Sequence, residues 1–152
     1  MSRGVEVIVR AVLVADGRVL LAHKPGAAHT FLPGGHIEPG ESAAAALRRE
    51  LQEELGLAAS VGRFLGAVEH AWTEGEGGHE VNLLFLVRAD GLPADRPPAS
   101  REPHIEFLWQ AADALAARRL EPRVLCEVLP AWLRGGGGWA STMTVGEIQP
   151  LD

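Results

Sequence analysis

At 152 residues, with 47% hydrophobic and 22% charged residues and a formal net charge of -6, the chain has the size and composition of one globular domain. Two independent cores and wholesale disorder are excluded, and 14 basic against 20 acidic residues give no overall electrostatic footprint for nucleic acid or an anionic membrane. No apolar run approaches the roughly 20 residues needed to span a bilayer, and Ser2-Arg3-Gly4 opens no signal-peptide core, so a cytoplasmic location is expected. Cys126 is the only cysteine and sits in the apolar stretch 124–129, where it reads as a buried, inert thiol.

In chain order, residues 5–14 are rich in Val and Ile and predict a strand, and the turn Ala15-Asp16-Gly17-Arg18 leads into a second strand at 19–22. Residues 25–40 are dense in Gly and Pro and read as loop, with Phe31-Leu32 a short strand before Pro33-Gly34-Gly35. Ser42 is an N-cap for a helix over 43–55, whose Leu47, Leu51 and Leu55 fall on one face, and Gly56 stops it. Residues 57–70 and 80–89 have strand character and are joined by a polar, Gly-rich connection at 73–78. A Pro-rich loop at 91–101 precedes a short strand at 105–109, and residues 111–119 and 122–133 look helical. Gly135 to Gly138 break the last helix, so the domain is expected to occupy 1–134, with 135–152 a Gly-rich hinge and tail. Trp139 and the run 144–148 are the tail's candidates for docking on the body or on a second subunit. The order of elements predicts an α+β or mixed α/β domain in which helices cover a sheet.

Glu50, Glu53 and Glu54 project within an arc of about 100° on the predicted helix. Carboxylates so spaced repel one another, and only Arg48 and Arg49 offset them locally. An acidic helix is ordinarily a solvated face. Here Gly34-Gly35 lies just upstream, where the backbone can approach a ligand closely, and Glu38 and Glu41 add two more carboxylates. Five of the fifteen glutamates thus fall within 35–57. Oxygen-rich clusters of this charge suit Mg2+ or Mn2+, which commonly bridge carboxylates to substrate phosphates. A bound cation would also attract an anion that the net charge repels.

Gly35, Glu41 and the run Arg49-Glu50-Leu51-Gln52-Glu53-Glu54-Leu55-Gly56-Leu57 together resemble the Nudix box at nine specified positions over 23 residues. The resemblance implies a Nudix-type α/β/α sandwich, a mixed β-sheet flanked by helices, over about residues 5–133. It implies hydrolysis of a nucleoside diphosphate linked to another moiety, or of a nucleoside triphosphate, by metal-assisted water attack at phosphorus. Carried over to this chain, Glu50 and Glu54 would be the main metal ligands, Glu53 a further ligand or water-mediated contact, and the Gly35 carbonyl a helper. Arg49 would orient a glutamate, Glu41 or Glu53, through its planar fork. Leu51, Leu55 and Leu57 would pack in the core.

The general base would come from the box or from a later loop. Glu102, just before the last strand, is the first candidate, with His104 and Glu106 behind it, although Glu106 also fits an outward strand position. Trp72 reads equally as a stacking platform for a base and as a core residue. His36 is a phosphate contact or a bystander, and His79 and Glu80 are site residues or turn residues. Some Nudix subfamilies carry a proline or a tyrosine downstream of the box. Residues 70–76 hold neither, and the chain has no tyrosine, so the resemblance names no nucleotide. Family members are often homodimers, which makes a dimer a family expectation. Two rival readings keep the fold: a nucleotide sensor without turnover, against which Glu50 and Glu54 both stand, and an RNA 5'-end pyrophosphohydrolase, against which the low basic content stands.

Overall fold

The computed structural model describes residues 4–143 and residue 151. Strand β1 (Glu6–Ala15) turns back into β2 (Arg18–His23), followed by the short β3 (Thr30–Phe31) and β4 (Gly34–His36) and by helix α1 (Ala43–Leu55). Two long strands, β5 (Ala59–Trp72) and β6 (Gly78–Ala89), precede β7 (Glu106–Ala111), a 3-10 turn at Leu115–Arg118, helix α2 (Leu125–Leu133) and β8 (Gly138–Ser141). The eight strands form one mixed sheet in the order β3-β2-β1-β6-β5-β8, with β4 paired to β1 and β7 to β2.

The centre of the sheet is the parallel pair β1/β6, with Ile8 opposite Asn82 and Leu13 opposite Val87. Parallel strands are covered on both faces, which is why β1 reads as a near-continuous apolar run. Val9, Ala11 and Leu13 join Ala46, Leu47, Leu51 and Leu55 of α1 in one buried cluster. Val12, Val68 and Leu84 join Leu125, Leu129 and Trp132 of α2 in another. One helix therefore lies on each face, the sandwich expected from the sequence. Helix α1 begins where the Ser42 Oγ accepts the Ala45 N–H at 3.0 Å. It ends at Gly56, whose φ of 68° lets its N–H close on the Gln52 carbonyl.

Three expectations need correction. Residues 34–36, read as loop, form β4, whose backbone pairs antiparallel with residues 8–10 of β1. Residues 111–119 are not an α-helix: β7 runs to Ala111, the Ala112 N–H bonds to the Gly17 carbonyl, and only the 3-10 turn follows. The glycines at 135–138 are not a hinge releasing a tail, because β8 pairs in parallel with β5, Gly66 opposite Gly138 and Glu69 opposite Ser141. Close approach accounts for Gly136 and Gly137, while Gly135 and Gly138 take positive φ values of 111° and 134°. A Cβ at Gly137 would lie 2.5 Å from the Leu65 carbonyl oxygen, and one at Gly66 would lie 2.6 Å from the Gly138 carbonyl oxygen and the Trp132 ring. Arg63 fastens the segment by donating to the carbonyls of Gly136 at 3.0 Å and Trp132 at 2.8 Å. Trp139 is exposed on β8, and the run 144–148 lies outside the described residues. Cys126 packs half-buried beside the α2 cluster, where burial raises its thiol pKa, in line with an inert thiol.

Candidate active site

The acidic helix face meets β4 at the level of its two glycines. Glu50 lies directly on Gly35: a Cβ there would be 2.4 Å from the Glu50 Cδ, so only glycine leaves room for the carboxylate. One turn further on, Glu54 is only 5% exposed, and its Oε2 is buried without a hydrogen-bond partner. Burial, then repulsion from Glu50, pushes the Glu54 carboxyl up to about 8, against the pull of Arg10 and of a backbone hydrogen bond from Gly34. Burial also raises Glu50, outweighing its ion pair with Arg49. Two carboxylates held side by side at this cost need a cation to be ionised together.

Arg49 is the clamp of the cluster. Its Nε and Nη2 donate to the two Glu41 oxygens at 2.8 and 2.9 Å, its Nη1 donates to Glu50 Oε1 at 2.9 Å, and Nη2 also reaches the His36 carbonyl at 3.1 Å. The guanidinium holds the Glu41 carboxyl down at about 2 and is itself held more firmly protonated by Glu41 and Glu50. Glu53 stands 3.7 Å from the same Arg49 Nη1 that Glu50 accepts from, with half its side chain exposed, and its charge adds to the rise at Glu50. Among the described residues no three His, Cys, Asp or Glu side chains converge as a complete cation cage. The fit to a divalent ion is that of an open site: the unpartnered Glu54 oxygen and the Glu50 carboxylate on Gly35 supply one or two anionic ligands. Waters and substrate phosphates would complete the shell, as is usual for Mg2+.

The structure sorts the candidate bases. The 90–104 loop is tied down by Trp109 Nε1, which donates to the carbonyls of Pro93 and Arg96 at 3.1 Å, and by the Arg101 N–H, which bonds to the Glu54 carbonyl at 2.8 Å. That last contact brings Glu102, half-buried, near enough for its charge to help raise the Glu54 pKa. His104 is exposed. Glu106 faces outward and pairs with His23 Nδ1 at 2.8 Å, raising the His23 pKa, and so takes no part in the cluster.

Beside the acidic end of α1, on the α2 side of the sheet, lies a cavity of about 710 Å³ lined by Arg10, Phe31, His70, Trp72, Glu80 and Glu121, among others. Trp72 is at its rim, 38% exposed and stacked on His70 with centroids 5.4 Å apart. Glu80 is buried at 9% exposure and accepts from Asn82 Nδ2 at 3.1 Å. The His36 ring points the other way, 3.4 Å from Glu6 and 61% exposed, and His79 faces Glu69 at 3.7 Å, so neither side chain lines the cavity. Arg10 is the residue that sequence reasoning passed over. Its Nε donates to Asn82 Oδ1 at 3.1 Å and its Nη1 to the Leu32 carbonyl at 2.9 Å, while Nη2 makes no hydrogen bond. Burial lowers its pKa, and the charges of Glu80, Glu54 and Glu50 oppose that. Its signal was a solitary arginine in an otherwise apolar strand.

An α/β sandwich with an acidic helix facing a Gly-Gly strand, beside an aromatic-walled cavity, is the architecture of the Nudix class. The chain belongs to the NUDIX family: the NUDIX domain model matches residues 3–128. It is 37% identical to the CTP pyrophosphohydrolase of Escherichia coli (strain K12) over 79 residues, a stretch that takes in 43% of this chain and 58% of that protein. Among solved structures, a MutT NUDIX hydrolase from Burkholderia pseudomallei is 32% identical, covering 73% of this chain and 86% of that one, with a TM-score of 0.61. The E. coli ORF135 protein is 27% identical over 86% of this chain and 92% of its own, with a TM-score of 0.68. No helix among the described residues is long and apolar enough to cross a membrane.

Proposed function

We propose that this protein is a divalent-metal-dependent diphosphohydrolase acting on nucleotides, cleaving a nucleoside triphosphate or a nucleoside diphosphate linked to another moiety. The observation that carries the reading is Glu54: a buried carboxylate with an unpartnered oxygen, beside a second carboxylate seated on glycine. Glu50 and Glu54, with the Gly35 carbonyl, would hold Mg2+ or Mn2+, and Glu53 would act through water. When bound, the ion would neutralise phosphate charge and lower the pKa of a coordinated water.

The chain's own residues supply the rest. Arg49 locks Glu41 and Glu50 in place through charge-assisted bonds, so the metal-facing oxygens need no reorganisation. Glu102, next to the Arg101 backbone that bonds to Glu54 and close enough for its charge to act on Glu54, would take the proton from the attacking water. Arg10 lines the cavity, and its Nη2, left without a hydrogen bond, would suit a phosphate oxygen at the junction of diphosphate and nucleoside. Trp72, His70 and Phe31 offer flat apolar faces to a base or ribose, and Glu121 offers an acceptor to an amino group.

A matched relative is named for CTP, so nucleoside triphosphates head the test panel, followed by nucleoside diphosphate sugars and ADP-ribose. Pyrophosphate or monophosphate release is followed with Mg2+, with Mn2+ and with EDTA, beside Glu54→Gln. Metal-dependent turnover lost in the variant supports the reading. Binding without turnover by the wild type across the whole panel would replace it with a nucleotide sensor.

A further inference from the structure

Just past strand β8 the chain meets the aromatic wall of the cavity from behind. At its end, the Ser141 Oγ donates to Glu69 Oε1 at 2.8 Å and the Thr142 N–H donates to the Glu69 carbonyl at 3.0 Å, so the backbone of residue 142 is fixed against β5. The Thr142 Oγ1 then pairs with Nδ1 of His70 at 2.8 Å. His70 is stacked on Trp72 at an interplanar angle of 26°, and both rings line the cavity with Arg10 and Phe31. The indole is backed by Gly78 across the strand pair, where a Cβ would stand 2.3 Å from the ring. The aromatic wall is thus held from two sides, by a glycine behind Trp72 and by a hydroxyl on the C-terminal segment behind His70.

We propose that Thr142 is a positioning residue of the substrate pocket, its hydroxyl fixing the His70 ring so that the stacked His70–Trp72 pair presents one prepared face to the nucleoside. This rests on the reading of the cavity as the nucleotide site. A half-exposed imidazole without a partner samples two ring orientations and two tautomers, whereas one bonded through Nδ1 is restricted to a single orientation. A wall ordered before the ligand arrives spares the ligand the cost of ordering it. Thr142 makes no contact with the carboxylate cluster, so its contribution belongs to substrate binding and not to the chemical step. The close packing at Gly136 and Gly137 gains a purpose on this account, since it leads the chain into the β8 pairing that sets the Thr142 hydroxyl against His70. This would make the C-terminal segment part of the site although it lies beyond the stretch matched by the family model, residues 3–128.

The test compares Thr142→Val, which removes the hydroxyl at nearly constant volume, with Thr142→Ser, which keeps it. Steady-state kinetics use the best nucleotide from the panel. A long-range proton–nitrogen NMR spectrum reads the His70 ring without substrate. Valine should raise KM about three- to tenfold, the worth of one hydrogen bond, with kcat within about twofold. Serine should restore KM and leave the His70 nitrogen shifts of the wild type in place. In a His70→Ala background, Thr142→Val should add nothing further. An unchanged KM in Thr142→Val overturns the proposal, even if the His70 spectrum moves, and so does a loss confined to kcat or a failure of serine to rescue. If the wild type neither binds nor turns over any nucleotide, the pocket reading itself falls and takes the proposal with it, while the His70 spectrum still reports whether the Thr142 bond exists.

Discussion

Replacing Glu54 by glutamine should stabilise the metal-free protein at alkaline pH while abolishing activity. Folding removes this carboxyl almost completely from water and raises it from 4.5 to about 8, burial being the main cause and the Glu50 charge the next. The folded protein therefore holds the proton more tightly than the unfolded chain. Stability is fully present below about 4.5 and is lost as pH rises toward about 8. At about 1.4 kcal/mol per pH unit that interval is worth about 5 kcal/mol, an upper limit that relaxation and water entry bring down to about 2 to 4 kcal/mol. Glutamine stays neutral throughout, so the difference between the two proteins should grow across this window. Urea unfolding in EDTA at pH 5, 6.5 and 8 measures it. Groups that do not interact with Glu54 affect both proteins equally and drop out of the comparison. Adding Mg2+ at pH 8 should recover the lost stability in the wild type alone, because an ion that binds only the folded state stabilises it by mass action. Parallel pH profiles for the two proteins would refute the claim that Glu54 is desolvated at the cost the structure implies.

Arg49→Lys should lower kcat by about tenfold or more, because a point charge cannot hold both oxygens of Glu41 and one of Glu50 together. In the same variant a carbon NMR titration should find the Glu41 carboxyl back in the ordinary range from its wild-type value of about 2. In the wild type the Glu41 pairing is complete above 4.5 and is lost as pH falls toward about 2. Alanine at Gly34 would set a Cβ 1.9 Å from the Val9 carbonyl oxygen at a φ of 143°, and should cost more than about 3 kcal/mol in denaturant unfolding. Alanine at Gly35 meets only the movable Glu50 carboxylate, so the fold should persist while the metal concentration for half-maximal activity rises. Glu102→Gln should depress kcat by about a hundredfold, whereas Glu106→Gln, which breaks only a surface pair with His23, should leave kcat within about twofold.

Local signals in the sequence carry the strands β1, β2, β5 and β6, helix α1 and the carboxylate cluster, because hydrophobic period, capping residues and the spacing of Glu50 and Glu54 all act within one turn or one strand. What escaped is non-local. Strand β4 contains two glycines and has no intrinsic strand preference; it exists because residues 8–10 of β1 pair with it. The glycines at 135–138 look like a flexible break, but the Ala131 carbonyl closes on Gly136, the Leu65 carbonyl closes on Gly137, and Gly135 and Gly138 take a positive φ. Arg10 depends on Leu32, 22 positions on, and Asn82, 72 positions on. The even choice between base platform and core for Trp72 turns on its placement at the cavity rim, and that between phosphate contact and bystander for His36 turns on a ring that pairs with Glu6 outside the cavity while its charge still reaches Glu50.

The central claim is that Glu50 and Glu54 together hold a divalent ion at Gly35. It is tested most directly by titrating Mn2+ into the nucleotide-free protein and following the free-ion signal by electron paramagnetic resonance. Wild type, Glu50→Gln, Glu53→Gln and Glu54→Gln should be measured on folded samples at pH 8. The account predicts one saturable site in the wild type, weakened about tenfold or more by either Glu50→Gln or Glu54→Gln and much less by Glu53→Gln. Equal Mn2+ affinity in wild type and Glu54→Gln would contradict it.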